Sequence, residues 1–538
     1  MSSYENDRLS SAASNAQTSG YEDRTSCDLE QIHLPGSVQP HGALLALDPL
    51  ALSIEQAGGD TAGLLGALPA AILGQRMEAW FPADCVARLR SLLTTEGPLS
   101  RPLFAFRLAG QQDRPAIDVI AHQTSGFVVL ELEPLHESET DDQLGLMQTM
   151  LLRVRQAETS ATLCQGFADE MRRVSGFDRV VVYRFLADGS GVVDAEARDP
   201  AVAGFRGLHF PASDIPRQAR DLYLNNWLRL IPDARYRPAP IVPPVSPRDG
   251  RALDLTHSLL RSVSPTHLEY LANMGVVASM SLSIIIGGRL WGLIACHHRS
   301  ARFLPYHLRL TFELFAQMAS YRLETQVAAE GFDAQLRSKQ VHEELLKSMS
   351  READLADGLT RHWPNLLDYI AADGVGLWLD GSYTRLGRTP TADQVAGLVG
   401  WLNEHVADGV FSTDRLPLVY PPATAFADVA SGVIALSVSR GPRDYVLWFR
   451  PEEIRTVVWA GNPNKRSEAE AVGALMTPRT SFAAWREALR WHARPWQALE
   501  VDAARALRVS LLEVVLLRID QISRERETAR AEQAALSA

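Results

Sequence analysis

From Tyr306 to Trp363 the chain holds no proline and only two glycines, and it is rich in Leu, Ala, Glu, Gln and Arg. Nothing in that stretch stops a helix once started, so it predicts one long helix or a pair of helices. A rod of this kind joins folded units, here a second unit ending near Leu323 to a third. With 538 residues, 46% of them hydrophobic, the chain is long enough for roughly three domains, each with a real core.

A polar, Ser/Asn-rich tail, residues 1–24, is expected to be disordered. After it, Ile32 to Asp48 mixes Pro-Gly turn signals with an apolar strand, another strand lies near Ser125, and short helical segments fall around Glu78 to Leu93. This predicts an antiparallel sheet with helices on it over 25–135, ending at the acidic linker from His136 to Gln143. The second unit, 144–323, combines the strand from Arg179 to Phe185, an irregular Pro-rich middle and the hairpin "ASMSLSIIIGGRLWGLIACHH". The third, 324–510, has strands at Gly374 to Gly381, Ser431 to Ser439 and Asp444 to Pro451, followed by a helical run over 511–538. There Leu512, Val515, Ile519 and Ile522 follow a 3,4,3 spacing that fits a coiled-coil seam or an ordinary docking helix. The expected fold class is α+β, three tandem domains of antiparallel sheets flanked by helices.

The net charge of −11, from 53 basic and 64 acidic side chains, argues against nucleic acid as the main partner. The N-terminus lacks the apolar core of a secretory signal, and the most apolar stretch, Gly275 to Gly288, is too short to span a bilayer. A cytoplasmic protein with no membrane partner is expected. Cys27, Cys85, Cys164 and Cys296 are scattered without CxxC spacing, which disfavours a disulfide framework and a metal site.

Three clusters in the second unit carry possible chemistry. In "FPASDIPRQARDLY", Ser213 or Asp214 ahead of Ile215-Pro216 reads as a helix N-cap, or else the Asp214 carboxylate points into a pocket. The other two are "RSVSPTHLEY", with Arg261, Ser264, His267 and Tyr270, and "CHH", with Cys296, His297 and His298. Neighbours along a strand face opposite ways, so Cys296 and His297 make a poor catalytic pair. Together with Arg229, the polar set suits a large ligand bearing carboxylates and ring N–H groups.

At this point a resemblance becomes close. "FPASDIPRQAR", "SPTHLEYLANMGV" and "RLWGLIACHH" resemble the bilin-pocket motifs of phytochromes, and "IHLPGSVQPHG" is similar to that family's first-domain motif. "WFRPEEIRTVVWAGNP" and "PRTSFAAW" resemble the tongue of the phytochrome-specific domain. The resemblance implies PAS, GAF and PHY domains in that order, a tongue over about 444–486, and a figure-of-eight knot in which the N-terminal segment threads a GAF insertion.

The linking cysteine of plant-type members lies directly before the histidine of "SPTHLEY", where this chain has Thr266. The bacterial type uses a cysteine ahead of the PAS domain, which Cys27 matches, so the resemblance implies biliverdin IXα thioether-linked to Cys27. Carried over residue by residue, Arg229 and Arg261 pair with the propionates, assisted by Ser264 and His267. The Asp214 carbonyl and His267 accept from the pyrrole nitrogens, and His297 holds the D-ring carbonyl. Tyr183, Phe205, Phe210 and Tyr270 wall the ring that turns, with Ile215, Tyr223, Ser279 and Ser281 completing the pocket. The Asp214 side chain is the latch to the tongue, pairing with Arg479 in one state and Ser481 in the other, with Trp448 and Trp459 in the same assembly. Red light is expected to switch Pr and Pfr states and refold the tongue, signalling from a homodimer to a histidine kinase domain or response regulator. No phospho-acceptor or ATP-binding motif is found in these residues, so no catalysis is assigned. The rival readings are a PAS/GAF sensor of a small molecule that does not photoconvert, and a thiol enzyme using Cys296 and His297.

Overall fold

A computed structural model describes residues 30–538, apart from 96–98, 111–113, 136–141, 353, 407–408, 439–443, 454, 462–481, 483 and 537–538. It divides into two compact units, residues 1–323 with 460–483, and residues 324–459 with 484–538.

The first unit contains two large sheets and a two-stranded one. One is five-stranded and antiparallel, in the order Ile54–Gly59, Ala43–Leu47, Phe127–Pro134, Ile117–Thr124, Leu103–Leu108. Its Leu45, Val119, Leu130 and Leu132 pack against Val86 and Leu89 of the helix Ala83–Thr95. The other sheet runs Leu228–Ile231, Ala278–Ile286, Arg289–His298, Arg179–Phe185, Gly191–Arg198, His209–Phe210. The Gly287-Gly288 turn of its hairpin has both φ angles positive, +55° and +72°, which only glycine adopts at no cost. The helix Ser160–Ser175 lies on one face of this sheet, capped by a Thr159/Thr162 box at its start and by Gly176 at its end. Its Leu163, Cys164, Phe167, Ala168 and Met171 recur at helical spacing and meet Val180, Val182, Met280, Ile294 and Cys296 from the strands. Cys164 and Cys296 are therefore core residues.

A short segment joins the two sheets. Ser37–Val38 pairs antiparallel with Ala239–Pro240, and the Ile241 N–H donates to the Gly36 carbonyl. On the other edge, the N–H groups of Leu255 and Ser262 donate to the carbonyls of His33 and Ser37, and the Gln39 N–H donates to Leu260. The Gln39 amide also donates to the carbonyls of Leu230 and Arg261, at 3.2 and 3.3 Å. Residues 33–39 are thus hydrogen-bonded on both edges by one excursion of the chain.

Behind this junction, Glu131 and His122 are fully buried with Oε1 and Nδ1 3.4 Å apart. The carboxylate accepts from Ser258 Oγ at 2.9 Å and from the N–H groups of Leu259 and Leu260. Burial pushes the Glu131 carboxyl up to about 7 and the His122 imidazole down to about 3. Ordinary values are 4.5 and 6.5. From 4.5 to 7 the folded chain therefore binds the extra proton at Glu131, and stability falls as pH rises. From 3 to 6.5 the unfolded chain binds the extra proton at His122, and stability rises with pH. Where the windows overlap, two slopes of at most about 1.4 kcal/mol per pH unit oppose each other. A His122→Leu variant removes the rising slope of His122, so between about pH 5 and 6.5 its urea midpoint should fall relative to that of the parent. Parallel profiles in the two chains would mean that His122 is protonated in the fold.

The Pro-free stretch forms one helix, Tyr306–Arg351, of 46 residues, about 69 Å at 1.5 Å per residue. Phe312, Phe315, Ala316, Ala319 and Leu323 bury its first half, while Leu310, Leu314, Met318 and Tyr321 are 40–69% exposed on another stripe. Near its start Arg309 forms a buried ion pair with Glu133 of the five-stranded sheet, the side chains being 4% and 2% exposed. Past its end the Asp354 carboxylate caps the next helix by accepting from the Ala356 N–H at 2.8 Å.

The second unit holds a five-stranded antiparallel sheet, in the order Ser382–Gly387, Gly374–Leu379, Tyr445–Arg450, Gly432–Ser437, Val410–Thr413. Both faces are covered. Trp448, Val446, Ile434 and Leu436 face Leu345, Met349, Leu507 and Leu511 of the long helices, while Phe449, Leu447, Val433 and Ala435 face Val395, Leu398 and Leu402. Tyr445–Arg450 is apolar on both faces for that reason. It is a central strand of the core, whereas the sequence reading had begun the tongue at 444. The last helix, Ala498–Leu536, begins well before 511. The 3,4,3 stripe that docks is Ala504, Leu507, Leu511 and Val514. Of the stripe read from the sequence, Leu512 and Val515 are only partly buried, and the side chains of Ile519 and Ile522 lie outside the described residues. Among the described residues no helix is long and apolar enough to cross a membrane, and no cluster of three metal-ligating side chains occurs.

Candidate functional site

The face of the second sheet opposite its helix-packed core lines a cavity, and strand register decides which side chains reach it. His297 sits opposite both Ser279 and Arg179, Ala295 opposite Ser281 and Val181, Leu293 opposite Tyr183, and Arg229 opposite Ser281. Alternate residues face one way, so these point into the cavity while Cys296, Met280 and Val180 point into the core. Burial pushes the Cys296 thiol far up from its ordinary value, which disfavours the thiolate that a thiol enzyme would need.

The cavity has a volume of about 100 Å³. It is lined by Tyr183, Phe205, Phe210, Asp214, Ile215, Tyr223, Arg229, His267, Tyr270, Ser279, Ser281 and His297. The apolar wall residues Val181, Val193, Ile231, Leu271, Met274, Leu293 and Ala295 complete it. The sequence reading missed these seven, because their strand and helix patterns do not distinguish a cavity wall from core. The Tyr183 and Phe205 rings each stand edge-on to Phe210, with centroids 5.9 and 5.8 Å from it.

Asp214 is not a cap. Ala212–Asp214 is a single 3-10 turn, Pro216 occupies the N-cap of the helix Arg217–Asn225, and neither Ser213 nor Asp214 supplies a capping bond. The turn is braced by Arg220, whose guanidinium donates to the carbonyls of Ile215 and Gly189 at 2.8 and 2.6 Å. The Asp214 carboxylate turns toward the cavity and accepts from Tyr270 Oη at 3.1 Å. Tyr270 is stacked on His267, with centroids 5.9 Å apart and planes at 12°, and the Phe482 ring meets it edge-on at 5.0 Å.

The electrostatics is that of buried cations. Burial, with Arg229 nearby, holds His267 down at about 4. Burial, Arg179 and His267 hold His297 well below its ordinary value, so both imidazoles are neutral. Burial lowers the Arg229 guanidinium too. Arg261 is 2% exposed, does not line the cavity, and its Nε, Nη1 and Nη2 find no acceptor among the described residues. A buried guanidinium without an anion is costly, so Arg261 calls for an anion that the described residues do not supply. Ser264 is also off the cavity wall, and its Oγ donates to Glu30 at 2.9 Å.

Trp448 lies in the core of the second unit, its indole N–H donating to the Leu366 carbonyl at 2.9 Å. Trp459 is half-buried in the same unit. Cys27, Arg479 and Ser481 lie outside the described residues.

Comparison with known proteins decides the family. A PAS fold model matches residues 27–135, a GAF domain model 160–323, and a model described as the phytochrome region 338–520. Cyanobacterial phytochrome B of Nostoc sp. is 41% identical over 506 residues, which cover 93% of this chain and 67% of that protein. The chain belongs to the phytochrome family.

Further phytochromes agree. A bacteriophytochrome of Pseudomonas aeruginosa is 35% identical over 513 residues, covering 93% of this chain and 68% of its own length. The crystal structure of a bacteriophytochrome from the photosynthetic bacterium R. palustris superposes with a TM-score of 0.81 at 38% identity, covering 92% of this chain and 100% of that one. The wild-type phytochrome photosensory core module of Stigmatella aurantiaca gives a TM-score of 0.78 at 40% identity, covering 92% and 99%. The α+β architecture is thus that of a phytochrome photosensory core, PAS-GAF-PHY. The chain spans about two thirds of the length of these two curated relatives.

Proposed function

We propose that this phytochrome is a red/far-red photoreceptor that binds biliverdin IXα in the cavity beneath His297 and carries it as a thioether on Cys27. The observation that carries the reading is the buried, unpartnered guanidinium of Arg261 in the same unit as a cavity lined by Arg229. Two cations without protein carboxylates among the described residues suit a ligand with two propionates. Arg229 and Arg261 would hold those groups. His267 and the Asp214 carbonyl would face the pyrrole nitrogens, and neutral His297 would donate to the terminal carbonyl. Tyr183, Phe205, Phe210 and Tyr270 exclude water around the ring that turns. Bound biliverdin supplies the absorption of red light and the Z/E isomerisation that distinguishes the Pr and Pfr states.

In this reading Asp214 is the reporter. Its carboxylate accepts from Tyr270 Oη, and Phe482, on the segment next to Ser481, packs on the same tyrosine. A change at Tyr270 is therefore felt by Asp214 and by the tongue at once, which supports an exchange between Arg479 and Ser481. Residues 33–39, held on both edges by residues 239–262, support the figure-of-eight path. The exposed stripe Leu310, Leu314, Met318 and Tyr321 supports a homodimer through the long helices. A histidine kinase or response-regulator output, and a cytoplasmic location, complete the proposal.

The test is an absorption spectrum after adding biliverdin, taken in the dark and after red and far-red light. Reversible exchange between a red and a far-red band is expected. Bound pigment that does not photoconvert would turn the reading toward a small-molecule sensor, and absence of binding would end it.

A further inference from the structure

The proposed contact of His297 with a carbonyl requires a particular form of the imidazole, and the strand next to it supplies the reason for that form. Arg179 opens the strand Arg179–Phe185 and stands directly opposite His297 in the ladder, so both side chains leave the same face of the sheet. Arg179 is 3% exposed. Its Nε and Nη2 approach His297 Nδ1 at 3.3 and 3.1 Å. Its Nη1 donates to the Ala203 carbonyl at 3.1 Å, and its guanidinium carbon lies 3.5 Å from the centroid of Phe205, a cavity wall.

A guanidinium has only donors. We infer that Arg179 sets the protonation of His297: it holds Nδ1 as an acceptor, leaving the single ring proton on Nε2, for which no protein acceptor occurs among the described residues. Rests on the bilin reading only the further step, that this N–H is what meets the ligand carbonyl. Arg179 is then a positioning residue.

The surroundings keep this arrangement one-sided. Glu196 on the neighbouring strand is occupied by the N–H groups of Phe205 and Arg206, at 2.8 and 3.2 Å, and lies 3.7 Å from Arg198. Asp178 is taken by Arg299 and His298. From the helix Pro265–Asn273, His267 and Tyr270 face the same region. Burial holds the Arg179 guanidinium down at about 10, still a cation at neutral pH. A second cation on His297 would be repelled by the first and would lose its Nδ1 acceptor. This end of the cavity therefore selects a ligand acceptor such as a carbonyl, and rejects an N–H donor at the same position.

The test uses the full chain labelled with ¹⁵N-histidine and free of bilin, with His297 assigned by the signal lost in His297→Gln. Expected are a protonated Nε2, a bare Nδ1 and no titration between about pH 6 and 8. Arg179→Met should give mixed tautomers and a titration moving toward the ordinary histidine value of about 6.5. Arg179→Lys, which keeps a charged donor, should restore the parent pattern, and a merely structural role predicts no such rescue. Arg179→Gln keeps a neutral donor, so it should hold the tautomer but admit titration, and it serves if the methionine variant does not fold. A proton on Nδ1 in the parent chain, or an unchanged His297 in both neutral variants, would overturn the inference. With biliverdin added, the terminal carbonyl stretch should shift in Arg179→Met and return in Arg179→Lys. Failure to bind bilin would strike the proposed function alone, because the ligand-free spectra still decide the role of Arg179.

Discussion

A Cys27→Ser chain loaded with biliverdin and then denatured is expected to release all of its pigment, whereas the parent chain keeps it. In the proposed attachment the Cys27 thiolate would add across a vinyl group, forming a C–S bond at one carbon while the other takes a proton and the π bond is consumed. A serine hydroxyl is far too weak an acid to do the same. The other thiols, Cys85, Cys164 and Cys296, are all buried. Binding itself should survive, because Arg229 and Arg261 are untouched and native absorption should still develop. Pigment that stayed with the denatured variant would move the attachment to another cysteine. The acidic neighbours Asp23, Asp28 and Glu30 oppose thiolate formation, so the folded pocket has to provide the activation.

Replacing Arg309 by Met should cost about 3–5 kcal/mol, read from the urea transition of the first unit. The change leaves Glu133 ionisable, 2% exposed and without its cation. The intact pair is not fully satisfied, since Arg309 Nε and Glu133 Oε1 have no hydrogen-bond partner among the described residues. Its net contribution is therefore modest while the cost of breaking it stays high, and the double variant Arg309→Met/Glu133→Leu should recover most of the loss. A single variant destabilised by less than about 1 kcal/mol would mean that water already reaches the pair.

What could be read from the sequence divides along the reach of each signal. Local signals held: the absence of proline from Tyr306 onward gave one helix to Arg351, and Gly287-Gly288 marked a hairpin. Alternation also separated Cys296 from His297, as the register confirms. Signals that need a partner left alternatives open. The 3,4,3 stripe at Leu512 was equally good on paper as the one at Ala504, and only the packed sheet selects the latter. Asp214 looked like a cap because Pro216 followed, but the proline itself took the N-cap and freed the carboxylate to face Tyr270. Trp448 carried no sign of its burial, because a central strand covered on both faces reads as an unbroken apolar run. Arg179 was passed over because its importance lies in the residue opposite, 118 positions later.

Residues 33–39 have one more consequence, which concerns the order in which the chain is made. Both of their edges are filled by residues 239–262, which leave the ribosome roughly 200 residues later, or about 10–40 s at 5–20 residues per second. The five-stranded sheet, complete by Pro134, can close in that interval, but the segment leading into it must wait with both edges open. A nascent chain paused before residue 239 should therefore expose residues 33–39 to a protease that the finished protein resists.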